Sequence, residues 1–275
     1  MSFGGDSFTF DNISSDRFNL KITTPETKST INISNYKSNL IKTNRQSKFY
    51  ATRQTVDEPL ILEVSIFSEN GVPLTRSQLD QIENWLFRPD GKFRKLRINQ
   101  EDMKGYYYNC RLQKLEAETY ANNIFVLNCL MECDSIFIWQ NPQTRVYTIN
   151  STPYVAKFVN ISSENLMSPT YQITVGVVNG LMKIESTGRT IKIVNSNITD
   201  ESQNTMEFIG LLDNEVLTID TEHEIITSNM RTSGLLDLFT NINFMKLPKG
   251  NNTFTITGDI VELKINYQNG RKVGN

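Results

Sequence analysis

Apolar side chains recur at every second position along most of this chain and at helical spacing along only one stretch of it. In residues 59–67, Leu60, Leu62, Val64 and Ile66 fall on one face and Glu63 and Ser65 on the other, the period of a half-buried strand. The helical stretch follows. Thr75 and Gln78 have the spacing of a capping box, and Leu79, Ile82 and Leu86 form one stripe beside Trp85. The pattern predicts a helix that ends near Arg88, because Pro89, Asp90 and Gly91 spell a turn. Short runs rich in β-formers come next, at residues 95–98, 106–112, 124–133 and 136–139. Together they imply one helix packed on a mostly antiparallel sheet.

Residues 141–153 hold two prolines among polar side chains before the alternation resumes at Tyr154, and a domain boundary is placed there, near residue 150. Strand patterns then succeed one another at 154–159, 171–178, 181–185, 190–195, 215–220, 253–257 and 260–267. Asn179-Gly180, Lys249-Gly250-Asn251 and Gly258-Asp259 mark turns between them, a rhythm typical of a β-sandwich. The expected fold is mainly β: an antiparallel sheet domain with one α-helix in residues 1–150, and a β-sandwich in 151–275. The scattered asparagines read as turn chemistry.

Composition supports a chain folded throughout, with 38% hydrophobic and 21% charged residues. No apolar run approaches the roughly 18 to 20 residues of a membrane helix. The first ten residues lack the basic start and apolar core of a signal peptide, so the expectation is a soluble protein without membrane insertion. Cys110, Cys129 and Cys133 are an odd set, which argues against a disulfide framework and for folding in a reducing compartment. Cys129 and Cys133 share a strand face with Leu127 and Met131 and read as buried thiols rather than a metal or redox site.

The inventory of catalytic chemistry is thin. A triad mechanism would have to use His223, the one histidine, and nothing around it resembles a nucleophile turn. Neither zinc spacing nor a glycine-rich phosphate loop occurs, so no metal, cofactor or nucleotide is expected. Glu116 and Glu118 would share a face in an extended segment, where they read as a solvated edge rather than a glycosidase pair. Net charge is −2, and the charge balance of neither half is that of a nucleic-acid binder. One segment departs from it: residues 27–56 carry Lys28, Lys37, Lys42, Arg45, Lys48 and Arg53, interleaved with Tyr36, Phe49 and Tyr50, and no acid. Such a mixture could hold a phosphate backbone, but reads first as a solvated or subunit-contacting arm.

Several segments together resemble the distal tail proteins of siphophages. They are the aromatic opening of residues 8–20, the strand at 60–67, the helix closing on Asn84-Trp85-Leu86-Phe87, and Lys95-Leu96-Arg97-Ile98. The tyrosine-rich residues 105–111, then 217–220 and 244–257, continue the match in the same order. The resemblance implies a non-enzymatic virion subunit at the tail tip, assembled in the host cytoplasm, with a ring-forming N-terminal domain and a galectin-like C-terminal sandwich. It implies six copies in a ring whose lumen continues the tail tube and passes DNA. One face of that ring docks on the tube protein and the other on a tail-associated lysin or fibre protein, and the outer domains carry receptor-binding proteins.

A DNA conduit should not hold DNA, and the near-neutral N-terminal domain fits that requirement. Rings use heterologous contacts, which points to two protruding arms as subunit interfaces. The candidates are Tyr36, Arg45 and Phe49 in the basic arm, and Lys114, Glu116, Glu118, Tyr120 and Asn122 in a hairpin spanning about 112–124. Trp85 reads as a core anchor instead. The rival readings are a carbohydrate-binding or host-adhesion module, for which Tyr154, Tyr171 and Tyr267 could supply stacking surfaces, and another tube or baseplate ring subunit.

Overall fold

In the computed structural model, residues 4–24, 59–178 and 188–272 are described in full, and residues 37–41 and 50–55 by their backbone. The first unit spans Met1–Gln140 together with Arg271–Asn275. Its strands are β1 (Gly4–Asp6), β2 (Phe8–Phe10), β3 (Ile13–Ser14), β4 (Leu20–Thr23), β5 (Lys37–Ile41), β6 (Tyr50–Thr55) and β7 (Ile61–Ser68). Helix α1 (Arg76–Leu86) follows, then β8 (Arg94–Ile98), β9 (Tyr106–Tyr120), β10 (Asn123–Cys133) and β11 (Phe137–Gln140). One large sheet runs in the order β1-β4-β7-β10-β9-β8-β2-β3, with β11 also beside β9, while β5 and β6 pair with each other. The pairings along that path are antiparallel.

The alternation read from the sequence sets which face is covered. Leu62, Val64 and Ile66 of β7 and Leu127, Cys129, Met131 and Cys133 of β10 are buried on the same side, where α1 lies in one core with them. Thr75 caps the helix as its spacing requires: the Gln78 N–H donates to Thr75 Oγ1 at 3.3 Å and the Thr75 N–H to Gln78 Oε1 at 2.9 Å. Trp85 stacks between Phe8 (5.5 Å between centroids) and Phe18 (4.9 Å), and its indole N–H donates to the Phe10 carbonyl at 3.0 Å. Burying so large a ring with its one polar atom satisfied makes it the point where helix and sheet are joined.

The second unit is Asn141–Gly270. It contains β12 (Gln143–Thr148), β13 (Tyr154–Asn160), β14 (Leu166–Met167), β15 (Thr170–Val175), β16 (Arg189–Asn195) and β17 (Thr205–Leu211). It continues with β18 (Val216–Asp220), β19 (Ile225–Ser228), β20 (Leu247–Pro248), β21 (Gly250–Gly258) and β22 (Ile260–Tyr267). Two sheets, β12-β22-β15-β18-β19 and β13-β21-β16-β17, face each other as a sandwich. Tyr171, Ile173, Leu263 and Ile265 from one meet Phe158, Ile193, Phe208, Phe254 and Ile256 from the other in a single core. Gly258 ends β21 at φ +98°, where a Cβ would stand 2.1 Å from the Thr190 carbonyl oxygen, so the turn accepts glycine alone. A last strand, β23 (Gly270–Lys272), pairs with β11, and from Arg271 the chain is again part of the first unit.

Candidate assembly surface

Strand β9 outruns its neighbours. Its pairing with β8 covers Leu96↔Tyr108, Lys95↔Asn109 and Arg94↔Cys110, and stops there. Past Cys110, among the described residues, the outer edge of β9 faces no strand for ten residues, a length of about 33 Å in extended backbone. On the other side, the pairing of β10 with β7 ends at Val126↔Phe67, so the tip of the hairpin pairs within itself. Ala121 and Asn122 make the turn, both in left-handed backbone (φ 48° and 64°), the geometry of a tight two-residue hairpin turn.

The hairpin carries two bulges. The register shifts once around Phe125 on β10 and once around Gln113 on β9. Each inserts a residue and bends the ribbon, as edge strands commonly do to discourage indiscriminate pairing. Beyond Gln113, Leu115 still rests against the core while Lys114, Glu116, Glu118 and Tyr120 stay exposed, Tyr120 at 79%. Lys114 pairs with Glu116 at 2.7 Å, with both side chains largely in water, so the pair contributes less than about 1 kcal/mol.

A polar relay crosses three strands. Ser65 Oγ donates to Asn128 Oδ1 at 2.7 Å, and Asn128 Nδ2 donates to Glu118 Oε1 at 2.7 Å. It fixes Glu118 on the face opposite the core. Nearer the base, Arg111 lies across from Glu132, its Nε donating to Glu132 Oε2 at 2.8 Å, and its guanidinium stands over the Phe93 ring at 5.3 Å. Sequence reading assigned no site role to Ser65, Asn128, Arg111 or Glu132, because they are spread over three strands, β7, β9 and β10, and the register alone brings them together. Of the residues it did single out, Lys114, Glu116, Glu118, Tyr120 and Asn122 stand together on the projecting hairpin. Tyr36, Arg45 and Phe49 lie outside the described residues.

The remaining chemistry is quickly placed. His223 sits exposed in the turn between β18 and β19, with Nδ1 2.9 Å from Asp220 Oδ2. Hydrogen bonding to that carboxylate, and then its charge, raise the imidazole pKa above its ordinary value of 6.5. Among the described residues no three His, Cys, Asp or Glu side chains are grouped to hold a metal ion. Nor is any described helix long and apolar enough to cross a membrane. Tyr171 is fully buried and donates its hydroxyl to the Met245 carbonyl. Tyr267 meets Phe158 edge-on and donates to Gln143 Oε1. Tyr154 packs partly buried against the same core, so the three tyrosines serve the sandwich interior and its rim.

Comparison with known proteins points one way. A family model described as a phage tail protein N-terminal domain matches residues 3–135, and one described as a phage tail C-terminal domain matches residues 139–267. No curated protein sequence matches the chain. Among solved structures, the Dit protein of phage SPP1, described as a paradigm of the hub adsorption apparatus in phages infecting Gram-positive hosts, superposes with a TM-score of 0.67. The match covers 95% of this chain and 98% of that one at 10% identity. The baseplate of phage p2 in its activated conformation with strontium contains a chain matching at TM-score 0.52 and 9% identity, over 98% of this chain and 100% of that one. At such identities the likeness is one of fold, whereas the two family models span nearly the whole sequence: the chain belongs to the phage tail protein family, in both of its domains.

Proposed function

We propose that this phage tail protein is a distal tail subunit, six copies of which form a non-enzymatic ring at the tail tip. The ring joins the tail tube to a tail-associated lysin or fibre protein, and its lumen lets DNA pass without holding it. Receptor-binding proteins attach through the second, galectin-like unit. The observation that carries the reading is the hairpin of β9 and β10, whose outer edge beyond Cys110 faces no strand among the described residues. An open edge of that length is suited to pairing with a different surface of the next copy, the heterologous contact that closes a ring. Charged side chains and two bulges keep it soluble until the right neighbour arrives. The full-chain likeness to a hub protein supports the same reading.

Light scattering and negative-stain microscopy of the purified chain, over a range of concentrations and with tail tube protein added, test the proposal. The expected result is six-fold rings with an open lumen. A variant lacking residues 117–124, with the strands rejoined by an Asn-Gly turn, should remain folded by circular dichroism and stay monomeric. Rings of unchanged order from that variant would remove the hairpin from the interface. A full-length chain that stays monomeric even with tube protein would overturn the ring.

A further inference from the structure

Cys110 on β9 and Cys133 on β10 stand directly opposite each other, and the surrounding hydrogen bonds fix what kind of opposition this is. In the adjacent pair, the Asp134 N–H donates to the Asn109 carbonyl at 2.9 Å. Hydrogen-bonded and non-hydrogen-bonded pairs alternate along an antiparallel ladder, so the two cysteines occupy a non-hydrogen-bonded pair. The Cys133 N–H agrees, for it turns away from β9 and donates to the Leu60 carbonyl at 2.8 Å. In such a pair the Cα atoms lie about 4.5 Å apart with side chains close, within the span a disulfide bridges.

Both thiols are free and buried in the same core, at 0% and 1% exposure. A hydrogen bond donated to Cys133, and then burial, hold the Cys110 thiol well above the usual thiol range. Cys129 is differently placed, opposite Leu115 on one side and Val64 on the other. Sequence reading treats Cys129 and Cys133 as inert core thiols and gives Cys110 no partner, since nothing in the spacing of Cys110 and Cys133 reveals that the register pairs them.

We propose that Cys110 and Cys133 form a latent cross-strand disulfide, open while the chain folds among reducing thiols and closed by a small-molecule disulfide in an oxidising medium. In the first step a Cys110 thiolate attacks one sulfur of the small disulfide, giving a mixed disulfide and releasing one small thiol. Cys133 then attacks the Cys110 sulfur, and the second small thiol leaves. Two protein thiols are oxidised, one small disulfide is reduced to two thiols, and the protons lost by the cysteines end on the leaving sulfurs. Because both sulfurs are buried, closure is slow in the folded chain and fast during refolding, when β9 and β10 are still apart. The closed loop contains the whole projecting part of the hairpin, so the bond would staple the assembly arm at its base. That last consequence rests on the tail-ring reading, whereas the bond itself does not.

The test is to refold the full-length chain with oxidised glutathione, block free thiols and map tryptic peptides by mass spectrometry without reduction. Trypsin releases residues 105–111, carrying Cys110, and 115–145, carrying Cys129 and Cys133. The Cys129→Ala variant makes the second peptide unambiguous. The expected result is a covalent link between these peptides in both chains, undone by a reductant, with a thermal midpoint at least about 5 °C higher in the oxidised form. Three free thiols, glutathione adducts alone, or a link that disappears in Cys129→Ala would each overturn the proposal. Oxidised and reduced chains are then compared for ring formation. A chain that forms the bond and no ring refutes the ring alone, and a ring-forming chain without the bond refutes the disulfide alone.

Discussion

Trp85 and Lys114 mark the two ends of what one side chain does in this protein. Trp85→Ala removes a buried ring wedged between Phe8 and Phe18 and the hydrogen bond to Phe10, and should cost about 3–5 kcal/mol, read as a lower denaturant midpoint. Lys114→Ala breaks an exposed pair with Glu116 and should change stability by less than about 0.5 kcal/mol. If Lys114 matters, the effect should appear in assembly rather than in folding. His223 offers a cleaner electrostatic test, because it is the one histidine and gives a single ring signal. Its raised pKa means that the folded state binds the proton more tightly than the unfolded one. The resulting stabilisation is present below the unfolded pKa and fades as pH rises through the folded value. An NMR titration should place the midpoint above 6.5, and Asp220→Asn should return it toward 6.5. A wild-type midpoint at or below that value would contradict the pairing.

At the scale of elements, the hairpin turn is the sharpest point of control. Asn122 holds φ 64°, a backbone that asparagine tolerates and a β-branched residue resists. Asn122→Val should cost about 1–2 kcal/mol and fray the tip, measured by hydrogen exchange of the amides in residues 117–126. Much of this architecture was legible beforehand. The capping box of Thr75 and Gln78, the face of β7 and the thiol-bearing face of β10 follow from spacing alone, because each pattern is complete within a few residues. The hairpin around 112–124 was legible as well. Its open edge was not, since an edge is a property of which strands pair and not of any one strand. Strand β12 hid inside residues 141–153, where Tyr147 and Ile149 are the inward-facing residues and polar neighbours masked them. The asparagines read as turn chemistry do more than that. The Asn160 and Asn195 side chains accept from the N–H two residues on, as turn residues do, yet both are buried and bridge neighbouring segments, Asn195 through Asn252.

At the scale of the whole molecule, the described residues form two hydrophobic cores, one in each unit, and the chain should unfold in two steps. The chain holds two tryptophans, Trp85 and Trp139, both in the first unit, so indole fluorescence follows that unit while calorimetry follows both. Arg271 belongs to it too, lying over the Tyr106 ring at 5.6 Å and reaching the Asp102 carbonyl at 3.5 Å. A chain ending at Gly270 should therefore lose about 1–2 kcal/mol from the fluorescence-detected step, with the second calorimetric step unmoved. Loss from the other step would contradict the assignment of the closing strand.

That closing strand also orders events in time. The second unit is an insertion within the first, so during synthesis the ribosome has finished the sandwich before it makes the residues that complete the sheet started at β1. A chain that stalls partway would thus carry its defect in the unit proposed to build the ring, and translation to the closing strand becomes a condition for entering the assembly.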